Sequence, residues 1–124
     1  MKKSLVFAWV LVLAPLAVPR AHAASAAQGK AAFPICAACH SLDPGVNKIG
    51  PSLHGIIGSK AGTAPGFSFS PAMKKAGFSW TPAKLAQYID DPQRVVPGNR
   101  MPYAGTHNMN TAESIVDYLE QVSK

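Results

Sequence analysis

The chain has 124 residues and a formal net charge of +6 at pH 7, which fit a single domain and would suit a nucleic-acid-binding protein. Three of its 12 basic residues, however, lie within the first 20 positions, and the remaining nine exceed the six acidic residues by only three. An excess this small argues against nucleic acid and fits docking to an acidic protein partner better.

Residues 1–23 have the features of a bacterial secretory signal peptide. Met1-Lys2-Lys3 is positively charged, Leu5 to Leu13 is apolar, and Ala21-His22-Ala23 has the small-x-small pattern of a signal-peptidase site. The alternative is a membrane anchor, but the apolar run is shorter than the roughly 20 residues that a spanning helix needs. We expect cleavage after Ala23, export to the periplasm, and one mature domain at residues 24–124.

The first helix predicted after this segment is alanine-rich and runs from Ser25, its N-cap, to Ala32. Pro34 should end or kink it, because proline lacks the N–H that an α-helix requires. A short second helix is predicted to open at Ser70-Pro71 and to be closed by Gly77.

Two longer helices are predicted farther along the chain. Thr81-Pro82 is a good N-cap and first-turn pair, and its helix should run to about Asp90. The last helix should begin at the capping-box-like Asn110-x-x-Glu113, and its apolar residues recur at the spacing of one buried face: Ile115, Tyr118, Leu119 and Val122. No strand or repeat is indicated, so the predicted class is all-α with long loops.

Residues 41–71 show no sustained periodicity and are rich in glycine and proline, which favour turns. A structureless segment of about 30 residues is unusual inside a compact domain. It is explained if the segment wraps around a group that is not protein, and a domain this small usually needs a cofactor, a metal or a disulfide.

Cys36-Ala37-Ala38-Cys39-His40 is the motif that carries the chemistry. Residues three apart share one face of a helical turn, so both thiols can bond to one edge of a haem, and the adjacent histidine can ligate its iron. Three alternatives fit less well. A thioredoxin-like pair requires a βαβ unit, a zinc site requires about four ligands, and a disulfide across so short a loop removes little chain entropy.

Several short motifs accompany this one in a fixed order: Gly29-x-x-x-Phe33, Gly50-Pro51-Ser52-Leu53-His54-Gly55, Ala64-Pro65-Gly66-Phe67, Trp80, Tyr88, Pro97–Gly105 and Tyr118. With them, the mature chain resembles the class I cytochrome c family over essentially its whole length. The resemblance implies three to five short helices and long loops wrapped around one haem c, which is bound covalently through thioethers to Cys36 and Cys39.

The axial ligands implied by the resemblance are His40 and Met101. A lone methionine is more often a packing residue, as we expect for Met73. Met101 differs because it lies in a loop bounded by proline and glycine, at the family's ligand position, and a thioether is a soft iron ligand. Met109 and His107 are the alternatives.

Three further residues acquire roles around the haem through the resemblance. The loop at Pro51 can accept the ring N–H of His40 through a backbone carbonyl, which fixes the tautomer. Trp80 would donate its N–H to a propionate, and the Tyr88 hydroxyl would lie near the Met101 sulfur. Both aromatic residues could equally belong to the core.

The expected function is that of a single-haem electron carrier and not of an enzyme, because an iron with two protein ligands has no open position for oxygen or peroxide. A peroxidase-like enzyme or a ligand sensor is the alternative and would need a labile sixth ligand. The expected partners of this monomer are a quinol-oxidising complex or a dehydrogenase as donor, and an oxidase, a reductase or a reaction centre as acceptor.

The chain also departs from the mitochondrial branch of that family. Ser59, Phe69 and Met73 stand where the branch has an arginine, a tyrosine and an asparagine around the inner propionate, so fewer donors should serve it. The resemblance further places six cations around or near the haem edge, away from the acidic residues of the last helix: Lys30, Lys48, Lys74, Lys75, Arg94 and Arg100.

Overall fold

A computed structural model describes residue 14 and residues 22–124. The signal peptide predicted for residues 1–23 therefore lies almost wholly outside the described residues. None of the helices in the described part of the chain is long and apolar enough to cross a membrane.

Six helices follow one another between residues 22 and 124: α1 (His22–Ala32), α2 (Pro34–Ala37), α3 (Pro71–Lys74), α4 (Pro82–Asp90), α5 (Pro92–Val95) and α6 (Met109–Val122). Extended pairing within these residues is limited to an isolated antiparallel bridge between Lys60 and Ser79. The all-α class is confirmed.

Three of the helices begin with the same local device, a capping side chain followed by proline. Ser70, Thr81 and Asp91 each accept a hydrogen bond from the backbone N–H three residues later, at 3.1, 3.1 and 3.2 Å. Each proline has no N–H to leave unpaired in the first turn. The starts of α3 and α4 are confirmed, whereas α5 was not predicted.

The first and last helices begin earlier than expected. α1 starts at His22, so Ser25 lies inside the helix and is not its N-cap, because the helix-favouring alanines extend beyond Ser25 toward the N-terminus. Asn108, not Asn110, caps α6 by accepting from the Thr111 N–H at 3.2 Å. Asn108 has the extended backbone that an N-cap requires.

The hydrophobic core is built where α1 and α4 pack against α6. α1 and α6 cross at Gly29, where any Cβ would run into the Ser114 carbonyl. Phe33, in the kink between α1 and α2, stacks edge-on against Tyr118 at 5.3 Å between ring centroids. The apolar face predicted for α6 supplies Ile115 and Leu119, both almost fully buried.

The segment between α2 and α3 has no helix and lies over one side of this core. Its larger apolar side chains are only partly buried against the core: Leu42, Leu53, Ile56, Ile57 and Phe69. Single hydrogen bonds hold it in place, among them Gly58 N–H to the Trp80 carbonyl at 2.7 Å and Ala61 N–H to the Phe78 carbonyl at 2.9 Å.

Candidate functional site

The two cysteines lie on one helical turn at the end of α2. The Cys39 and His40 N–H groups donate to the Cys36 carbonyl at 3.0 and 2.9 Å, which stacks both thiols on the same side. Neither cysteine forms a disulfide, and both are half-buried. Burial, and secondarily the neighbouring Cys39, raise the pKa of the Cys36 thiol, so Cys36 is protonated at neutral pH.

The His40 ring is fixed by a backbone carbonyl. Its Nδ1 lies 2.7 Å from the Pro51 oxygen, and because a carbonyl only accepts, Nδ1 carries the proton and donates. Burial lowers the pKa of His40, opposed by the Pro51 bond and reinforced by Lys48. A neutral ring with its Nδ1 proton bound in this way keeps the Nε2 lone pair for a metal.

Gly50 makes room for this arrangement. A Cβ at Gly50 would lie 2.7 Å from the His40 Nδ1 and nearer still to Cε1, closer than real Cβ atoms approach. The Gly50 N–H donates to the Cys39 carbonyl at 2.8 Å, and Lys48 Nζ donates to the Ala37 carbonyl at 2.7 Å. The 48–51 loop is thereby held against the cysteine turn.

Met101 lies in the loop between α5 and α6, half-buried against the core. The other methionines are placed differently, since Met73 is 8% exposed within the core and Met109 is exposed at the start of α6. Tyr103 lies in the same loop, two residues after Met101. It is close enough to the cysteine turn that Cys36 contributes, after burial, to raising the pKa of Tyr103. The structure thus brings the Met101 loop to the same side of the molecule as the cysteines.

Trp80 and Tyr88 lie together, with ring centroids 4.9 Å apart, and both are buried. Burial raises the pKa of Tyr88 to about 12, so its hydroxyl remains a hydrogen-bond donor at physiological pH. Among residues 22–124, no polar side-chain atom is fully buried without a hydrogen-bond partner. Within these residues the indole N–H and the phenol hydroxyl make no hydrogen bond, and neither atom is fully buried, so each remains able to donate.

Two residues that hold the Met101 loop were missed by sequence reasoning. The Asn99 side chain bonds Pro92, Val96 and Met101, and the Gln93 side chain bonds Gly98 and Asn99. Asp91-Pro92, the same cap-proline pair that marks α3 and α4, was the available signal for α5, which contains Gln93 and to which Asn99 is bonded.

These donors fit a covalently attached haem. Two thiols share one helical turn, one neutral imidazole nitrogen has its orientation fixed, and one thioether lies in an anchored loop. Two further polar hydrogens, on Trp80 and Tyr88, are free to serve a carboxylate or a ligand atom.

Comparison with known proteins identifies the family of the chain, although no family model matches it. Cytochrome c2 iso-2 of Magnetospirillum molischianum is 44% identical over 94 residues, which span 76% of this chain and 97% of that protein. Cytochrome c2 of Blastochloris viridis is 39% identical over 120 residues, 96% of this chain and 93% of that protein.

The chain belongs to the class I c-type cytochromes. The structure of cytochrome cH from Methylobacterium extorquens, 41% identical, superimposes with a TM-score of 0.73 over 77% of this chain and 97% of that one. This cytochrome therefore binds one haem c covalently and carries electrons between redox proteins; it is not an enzyme.

Proposed function

We propose that Cys36 and Cys39 attach the haem through thioethers, and that His40 and Met101 are the axial ligands of its iron. The observation that carries this proposal is the 2.7 Å bond from His40 Nδ1 to the Pro51 carbonyl, which leaves Nε2 as the one ring nitrogen able to bind iron. Bound haem supplies the Fe(II)/Fe(III) couple.

The surrounding residues tune that couple. The Met101 thioether favours Fe(II), and its half-burial against the core keeps water from the ligand. Trp80 donates its indole N–H to a propionate, and Tyr88 directs its hydroxyl toward the Met101 sulfur. The high pKa of Tyr88, about 12, keeps that proton in place.

We further propose that the protein works in the bacterial periplasm after cleavage behind Ala23. Its donor is a quinol-oxidising complex or a dehydrogenase, and its acceptor is an oxidase, a reductase or a reaction centre. When the full chain is expressed in bacteria that mature c-type cytochromes, the periplasmic product should begin at Ala24 and carry the mass of one haem. Intact mass spectrometry of a product that retained residues 1–23 would contradict the cleavage site.

Met101→Ala tests the second axial ligand. The ferric wild-type protein should show the weak long-wavelength band of methionine–iron ligation, and Met101→Ala should lose it. Met109→Ala is the matched control, because Met109 is exposed on α6 and should keep the band. If the band disappeared in Met109→Ala and survived in Met101→Ala, Met109 would be the ligand.

A further inference from the structure

We propose that Asn99 is the positioning residue for Met101: its side-chain amide binds the ligand loop to α5 and sets how readily the methionine leaves the iron. This inference rests on the proposed role of Met101. The sequence motifs give Asn99 no functional role.

Every hydrogen-bonding group of the Asn99 amide is used, and the residue is only 7% exposed. Its Nδ2 donates to the Pro92 carbonyl at 3.0 Å and to the Val96 carbonyl at 2.9 Å. Its Oδ1 accepts from the Met101 N–H at 3.0 Å. The side chain therefore joins both ends of α5 to the backbone of the proposed ligand.

Only a side-chain amide of this length matches that pattern. Two carbonyls require two donor hydrogens, and the Met101 N–H requires an acceptor. A carboxylate would place its charge against two carbonyl oxygens. An aliphatic side chain would leave the Met101 N–H without its acceptor, which is costly, and the Pro92 and Val96 carbonyls would keep only their backbone donors.

Gln93 adds a second, more exposed tie to the same loop. Its Nε2 donates to the Asn99 carbonyl at 3.0 Å, and its Oε1 accepts from the Gly98 N–H at 3.1 Å. Beyond Met101 the loop is fixed independently, by Thr106 N–H to the Ile89 carbonyl at 3.0 Å. Met101 thus lies between two anchors, and the Asn99 anchor is in direct contact with it.

The test measures how fast imidazole displaces Met101 from the ferric holoprotein, by stopped-flow absorbance. We expect Asn99→Ala and Asn99→Asp to accelerate binding by about tenfold or more, since each removes buried hydrogen bonds. Gln93→Ala should accelerate it by about two- to fivefold. Because Gln93 is exposed, this variant should fold even if the Asn99 variants do not.

Ile115→Ala is the control for stability alone. Ile115 is 1% exposed in α6, so its truncation loosens the core without touching the loop, and its imidazole rate should match that of the wild type. If the rates of the Asn99 and Gln93 variants rose no more than that of Ile115→Ala, the positioning role would be wrong. A wild-type protein without the long-wavelength band would instead contradict Met101 ligation itself, so the two failures are distinguishable.

Discussion

Ser59, Phe69 and Met73 are neutral where the mitochondrial branch of the family has a cation and two further polar groups. The structure shows that none of them replaces those groups. Ser59 donates its hydroxyl to the Ile56 carbonyl at 2.8 Å, Phe69 packs against Phe67 at 4.9 Å between centroids, and Met73 is buried in the core. The nearby Lys60 is exposed.

Ser59→Arg should therefore raise the midpoint potential. A cation near the haem disfavours Fe(III), and at about 8 Å with an effective dielectric constant near 20 one charge is worth on the order of 2 kcal/mol. The propionate that it neutralises would cancel much of this, so we expect a rise of some tens of millivolts, measured by potentiometric titration.

Ser59→Gln is the control, because it also loses the bond to Ile56 and adds length without charge. Its potential should stay near that of the wild type, and both variants should retain the long-wavelength band. An unchanged or lower potential in Ser59→Arg would mean that another group already compensates the propionate.

At the level of elements, the predictions succeeded where a local signal was complete. Ser70-Pro71 and Thr81-Pro82 predicted α3 and α4 because a cap and a proline fix a helix start without help from the rest of the fold. Asp91-Pro92 is the same signal, yet α5 was missed, because it begins directly after α4, where a proline also indicates the end of the preceding helix. Asn110 was predicted as the cap because Glu113 completes a capping-box pattern with it. The folded chain caps the helix at Asn108, whose N–H donates to the Thr106 hydroxyl at 3.2 Å, a contact that the pattern does not reveal.

The residues of the candidate site also divide into those that local spacing predicts and those whose contacts depend on the folded chain. Cys36, Cys39 and His40 are contiguous, so their shared turn could be predicted from spacing. The tie from Asn99 to Pro92 and Val96 depends on where a short helix places two carbonyls, and that is a property of the folded chain. For His40, the sequence predicted only that a backbone carbonyl of the loop at Pro51 accepts the ring N–H. The structure identifies that carbonyl as the one of Pro51 itself.

The segment from residue 41 to residue 70 lacks helices, and this makes the fold depend on the cofactor. Its larger apolar side chains are only partly buried against the core, and we expect the haem to cover the surface that remains exposed. Cys36→Ala with Cys39→Ala should leave the chain largely unfolded, without a cooperative thermal transition in the near-ultraviolet signal of Trp80.

Cys36→Ala alone is the control, since it retains Cys39 for one thioether and should still melt cooperatively. A cooperative transition in the haem-free double variant would show that the loops have sufficient core of their own.

At the scale of the whole molecule, we expect charge to be distributed unevenly. The six cations assigned to the haem side are all exposed, and Glu113 and Glu120 are exposed on α6. Two of the cations have polar partners. Lys48 donates to the Ala37 carbonyl at 2.7 Å. Arg94 lies 3.7 Å from Asp90 and 3.5 Å from Asp91, which reduces its field at a distance.

Lys74 and Lys75 should therefore contribute more than Arg94 to steering an acidic partner. Between low salt and about 0.5 M, where the Debye length falls below about 5 Å, the bimolecular oxidation rate with the physiological partner should fall by about tenfold or more. Lys74→Gln with Lys75→Gln should lower the low-salt rate and flatten this dependence, whereas Arg94→Gln should do so less.

Lys124→Gln is the control for net charge. It removes one positive charge beside Glu120 at the C-terminal end of α6, and steering depends on where a charge lies as well as on the total net charge. Its rate should follow the wild-type salt curve closely. A wild-type rate that stayed flat from low salt to about 0.5 M would show that the asymmetry does not steer association, and docking would then depend on short-range contacts alone.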